Sequence, residues 1–267
     1  MSAEIAPPIL GRVALVMADD RYCPAREEST AYWERAARIN ALWAQRHGYR
    51  FARYCVAACA HAVFGPRHPS WCKLVALAHA LAELAVDTVL YLDSDAYVVD
   101  PNASLVNIVA TYTQPGDWSA SIYFGCNGPW DRGWEKRARN AQRGPANAGV
   151  MILRNMPATV DVLRAWWGRP PAHSEKWASF WGASGAHGKL LHASYTSTYK
   201  AYAFGGNWEQ SILWRMWQLS PRVAARLRVL ADQRSGGCMW TVPPCTRSTR
   251  ASAPSACESW RPSPIAH

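Results

Sequence analysis

The sequence predicts an α/β protein: a mainly parallel sheet covered by helices, in a single domain. Three observations lead there. Short apolar runs of strand length alternate with segments of helical periodicity. Hydrophobic residues make up 49% of the 267 residues, enough for a sizeable core. Acidic residues close two of the apolar runs, as expected where parallel strands end at a ligand-bearing rim.

The first element is "RVALVMADD" (12–20), a buried strand that ends in acids. Tyr32, Ala36, Ile39 and Trp43 then fall at i, i+4, i+7 and i+11, one face of a helix that Gly48 should end. "YRFARYCV" (49–56) alternates as a strand does. Beyond a loop rich in Pro, Gly and His, Trp71, Leu74, Val75, Ala78 and Leu81 line a second helix. "TVLYL" (88–92) is the third strand and runs into Asp93 and Asp95. Further strands are predicted near 118–124, at "NAGVMILRN" (147–155) and at 227–231, with helices over 157–167 and 207–218. The folded domain spans 1–232. From 233 to 267 the chain is rich in Ser, Pro and Thr and reads as a disordered tail.

The formal charge of +10 suits an anionic ligand, but the basic residues are scattered with no run of five, which argues against a nucleic-acid partner. No stretch of 18 apolar residues is present, so no transmembrane segment is expected. The start, "MSAEIAPPILGR", lacks the basic and apolar regions of a signal peptide. The chain reads as soluble as given. Its location is left open between the cytoplasm and a setting in which a membrane anchor lies outside this sequence. The eight cysteines match no zinc spacing; Cys55, Cys72 and Cys126 read as buried thiols, with disulfides left open. Fifteen tryptophans are many, and those of "WWGRPPAHSEKWASFWG" (166–182) either face a sugar ring or fold on one another.

Asp19 and Asp20 end the first strand, and Asp93 and Asp95 end the third. In a parallel sheet both pairs reach the same rim. Two carboxylates one residue apart repel each other. A hard cation such as Mn²⁺ or Mg²⁺ removes that conflict and keeps positions open for phosphate oxygens. The competing reading is that the acids cap the helix at "PNASLVNIV". Two other D-x-D chemistries fit less well. Haloacid-dehalogenase-type phosphatases place theirs on the first strand with Thr or Val four residues on, where this chain has Tyr97. Nucleotidyltransferases add a Gly-Ser segment that is not found here.

Four ordered segments resemble one family, the nucleotide-sugar glycosyltransferases of the GT-A fold. The likeness is to its fungal galactosyl- and α-mannosyltransferases and plant xyloglucan xylosyltransferases. The segments are "NALWAQRHGYRF" (40–51), "WCKLVALAHAL" with "DTVLYLDSDAYVVD", "NAGVMILRN", and "NWEQSILW" (207–214). Together they span roughly residues 10 to 220 and are far more specific than a lone D-x-D.

The resemblance implies a GT-A, Rossmann-like domain with a mixed, mainly parallel sheet flanked by helices. It implies a retaining transfer from a UDP- or GDP-linked sugar to a glycan or glycoconjugate hydroxyl. Asp93 and Asp95 would hold Mn²⁺ (or Mg²⁺) on the diphosphate. Asp19 and Asp20 would lie near base and ribose, and Lys73 would approach the donor. Asn147 and Gly149 would line the sugar pocket. Glu209 and Gln210 would face the reacting carbon. Three of them have a plainer reading: a snorkelling surface lysine at 73, a turn residue at 147, a helix-dipole charge at 209. The family's C-terminal metal-binding His has no counterpart, since the only His after Gln210 is His267. That departure favours a second reading, a degenerate relative that binds a nucleotide sugar or glycan without turnover.

Overall fold

An unbroken apolar run, Val13 to Ala18, makes the first strand, β1 (Val13–Asp19), whose two faces are both covered. A computed structural model describes residues 10–23, 31–61, 65–113, 119–126, 146–168 and 209–230. The tail from 233 and most of the aromatic segment 166–182 lie outside the described residues. After β1 come α1 (Tyr32–Arg46), β2 (Arg50–Cys55), a short hairpin β3 (Ala60–His61) and β4 (Gly65–Pro66), α2 (Cys72–Glu83) and β5 (Thr88–Leu92). Then follow α3 (Leu105–Tyr112), β6 (Ile122–Cys126), β7 (Ala146–Arg154), α4 (Pro157–Trp167), α5 (Glu209–Leu219), α6 (Pro221–Ala224) and β8 (Leu227–Val229). Gly48, at φ +67°, terminates α1 in the left-handed conformation that its missing Cβ permits.

Six strands form one sheet in the order β2-β1-β5-β7-β6-β8. All share one direction except β7, which runs antiparallel to both β5 and β6. The expected mixed, mainly parallel α/β sheet is thus present. Alternation along the strands sends Ala14, Val16, Val89, Tyr91, Met151 and Leu153 to the face that α2, α4 and α5 cover. Leu15, Met17, Leu90, Leu92 and Ile152 face α1 and α3. Among the described residues, no helix is long and apolar enough to cross a membrane.

The expectation of buried thiols at Cys55 and Cys72 is corrected. Cys55 is bonded to Cys23, and Cys72 to Cys59. The parallel register pairs Asp19 with Cys55, which sets Cys55 beside the turn that carries Cys23. A contact of that kind is set by strand pairing and leaves no trace in cysteine spacing. The Cys126 side chain is not among the described ones.

Candidate active site

The reversed strand β7 explains why two distant motifs meet. Its first residues lie beside the last residues of β5: Val150 pairs with Leu92, and Asp93 N–H donates to Gly149 O at 2.8 Å. "NAG" therefore abuts "DSD". The start of α5 closes the same corner, where Gln210 Oε1 accepts from Ala148 N–H at 2.8 Å. Trp166 donates to Glu209 O at 2.7 Å and Trp214 donates to Ala146 O at 3.0 Å, so two tryptophans fasten this junction.

Lys73 sits inside the corner. The W-x-K segment begins α2, and its lysine, only 6% exposed, reaches Asp93 Oδ1 at 2.8 Å, Glu209 Oε1 at 3.0 Å and Ala148 O at 3.3 Å. Burial works against its charge, but the Asp93 and Glu209 carboxylates outweigh it and hold its pKa above the usual lysine range. The snorkelling reading is thereby removed. Glu209 is itself buried, and its Oε2 finds no hydrogen-bond donor among the described residues.

Tyr91 and Asp93 are two apart and so share the α2 face of the sheet. Tyr91 O–H donates to Asp93 Oδ1 at 2.8 Å. Burial, then the Asp93 charge, push the phenol pKa well up, so it stays a donor. Gly149 lies against the other oxygen. A Cβ there would sit 2.7 Å from Asp93 Oδ2 and 2.9 Å from Asn147 Oδ1, so only glycine allows this approach. Asn147 Oδ1 accepts from Gly149 N–H at 2.7 Å, and no described residue engages its amide nitrogen.

Asp95 stands at the open rim. Its carboxyl is nonetheless crowded by protein, and this partial desolvation, followed by the Asp93 charge, raises its pKa. The helix-capping reading fails for both acids, because Ser104 Oγ caps α3 by accepting from Asn107 N–H. Among the described residues no three His, Cys, Asp or Glu side chains gather as a metal cluster. The two carboxylates still fit a hard divalent ion, since such an ion often takes one or two protein carboxylates and fills its shell with water and phosphate.

The first acidic pair joins the second through Ser94. Asp19 and Ser94 each lie three residues past the Val16–Tyr91 pair, on the α1 side. Ser94 O–H donates to Asp19 Oδ2. Arg21 grips both Asp19 oxygens at 2.8 and 2.6 Å, and also donates to Ser94 and Tyr32. Burial acts to raise the Asp19 pKa, but the Arg21 and Ser94 hydrogen bonds prevail and hold it well below the carboxylate range. Asp20 is exposed, and its pKa is raised, chiefly by its hydrogen bond to Asp19.

"NALWAQRHGY" also acquires a physical role. Asn40, fully buried, donates to Ala96 O at 2.8 Å and accepts from Val98 N–H at 3.1 Å. Trp43 donates to Ala103 O, and the Tyr49 hydroxyl accepts from Leu105 N–H. The end of α1 thus pins the segment that follows Asp95. Arg21, Ser94, Tyr91 and Asn40 were not singled out from the sequence as site residues. Arg21 and Ser94 adjoin marked acids, and that adjacency was the one available signal.

No protein-family model and no curated protein matches the chain. Several solved structures are similar, among them two at low identity. One is a glycosyltransferase involved in glycosylation of the major capsid of PBCV-1, 14% identical, covering 82% of this chain and 81% of that one, with a TM-score of 0.43. The other is the glycosyltransferase GlyE of Streptococcus pneumoniae TIGR4, 17% identical, covering 84% of this chain and 46% of that one, with a TM-score of 0.33. Function is therefore read from the residues of the site.

Proposed function

We propose that the protein is a retaining glycosyltransferase that moves a sugar from a UDP- or GDP-linked donor to a hydroxyl of a glycan or glycoconjugate. One observation carries the reading: Asp93, Lys73, Ala148–Gly149 and Glu209–Gln210, from three separated motifs, are bonded together at one sheet rim. The motif resemblance supplies the sugar chemistry.

Asp93 and Asp95 would hold Mn²⁺ or Mg²⁺, which when bound neutralises the diphosphate as it departs. Asp20, exposed, meets the ribose, while Asp19 serves the nucleoside end through its hold on Arg21. Lys73 acts on the diphosphate end of the site through Asp93. Asn147 offers its amide nitrogen to a sugar hydroxyl, and Gly149 leaves room for the ring. Gln210, with its oxygen committed to Ala148, offers its NH₂ to an oxygen of the reacting sugar beside Glu209. The acceptor oxygen forms its bond to the anomeric carbon on the face from which the phosphate leaves. The acceptor proton passes to the departing phosphate oxygen, and the configuration is retained. Gln210 and Glu209 contribute electrostatically.

The lack of a third metal-binding side chain among the described residues favours one other reading, a binder of the same ligands without turnover. The test is a thermal shift with UDP or GDP, with and without Mn²⁺, followed by donor hydrolysis. Asp95→Asn should abolish metal-dependent nucleotide binding and leave the fold intact; unchanged binding would remove the assignment. Binding without hydrolysis or transfer would leave the binder.

A further inference from the structure

We propose that Tyr91 is a positioning residue: together with Lys73 it fixes Asp93 by Oδ1 and so presents Oδ2 alone to the bound cation. The inference rests on the proposed cation role of Asp93. An aspartate's terminal torsion is broad and nearly two-fold, so a carboxylate chooses between its oxygens only when something outside it imposes the choice. Here two buried donors, the Tyr91 hydroxyl and the Lys73 ammonium, both lie 2.8 Å from Oδ1. No described residue donates to Oδ2. The bare Cα of Gly149 is what leaves Oδ2 its space. Tyr91 is fully buried in β5, one residue from the strand's end; its hydroxyl bonds Asp93, and its ring lies 5.4 Å from the Lys73 ammonium, a contact that a phenylalanine would keep. Partners that orient a metal-binding group in this way commonly change metal affinity about 10- to 100-fold when removed.

Tyr91→Phe keeps the ring in the core and deletes only the donor. Mn²⁺ affinity would be measured from the paramagnetic resonance signal of free Mn²⁺, titrated into the full chain with saturating UDP or GDP. Nucleotide binding without metal and the melting temperature would be measured alongside. We expect Mn²⁺ to bind about 10-fold more weakly, with metal-free nucleotide binding and melting temperature nearly unchanged. A purely structural tyrosine would instead lower the melting temperature and weaken nucleotide binding with or without metal, and that result overturns the proposal. So does an unchanged Mn²⁺ affinity. Gly149→Ala tests the other oxygen: its methyl group crowds Oδ2, so retention of full Mn²⁺ affinity there would also overturn it. If the unaltered protein binds no Mn²⁺ with either nucleotide, the glycosyltransferase reading itself fails, and this inference falls with it.

Discussion

Lys73 on α2 and Glu209 at the start of α5 are joined by a buried ion pair of 3.0 Å, with Asp93 on the same ammonium. Two carboxylates therefore share one cation, Glu209 buried and Asp93 with 35% of its side chain exposed. Removing the lysine strands Glu209, while Asp93 keeps its bond from Tyr91. Lys73→Met should cost about 3–5 kcal/mol in urea unfolding at pH 7. Glu209→Gln should cost less, because Asp93 still occupies the ammonium. The double variant should fall short of the sum by about 0.5–3 kcal/mol, the mark of a direct coupling. Simple additivity would show that the pair is not coupled.

Gln210 has two separable duties. Its oxygen holds Ala148 N–H, and its NH₂ is left for the reacting sugar. Gln210→Glu keeps the first and deletes the second. Both Gln210→Glu and Gln210→Ala should lower turnover by roughly 10²-fold or more, the scale for losing one preorganised group. Only Gln210→Ala should also reduce the melting temperature. Turnover near normal in Gln210→Glu, with weakened donor binding, would assign the residue to pocket shape.

The two disulfides flank the site. Cys72 is the residue before Lys73, and Cys23 follows the turn that carries Arg21. Loop-closure arguments put their stabilisation at about 3 kcal/mol for the separation of 13 residues and somewhat more for 32. Reduction with excess dithiothreitol should lower the melting temperature clearly. Cys23→Ser and Cys59→Ser should each reproduce part of the drop.

Asp19 links stability to acid. Its folded pKa lies below the unfolded value, so its contribution is present above about pH 4 and is lost as pH falls toward the folded pKa. Asp19→Asn should destabilise the protein by about 1.5–2 kcal/mol at pH 7, the lower end of the range for hydrogen bonds to charged groups because Arg21 is partly exposed. The gap between variant and unaltered protein should narrow below pH 4. Unfolding curves at pH 7 and pH 3 provide the check, and a gap that widens in acid would contradict the sign.

Most of the elements are legible in the one-dimensional pattern of residues. Apolar runs of strand length, alternation in β2 and a 3.6-residue period in the helices marked β1, α1, β2, α2, β5, β7 and α4 near their observed limits, because those patterns reflect which residues meet the core. The sequence also marked the acids of the site, since paired carboxylates stand out against an apolar run. Contacts were different. That Lys73 turns inward to Asp93 and Glu209 depends on α2 lying over the face that Tyr91 and Asp93 share. That Asn40 holds Ala96 and Val98 depends on α1 covering the opposite face. The pairing of Cys55 with Cys23 follows from the β1–β2 register, and the meeting of Asn147–Gly149 with Asp93 from the reversal of β7. One-dimensional patterns record the burial of each residue, but a partner 20 to 136 positions away is chosen only when the sheet order and strand directions are set, and tertiary packing sets them.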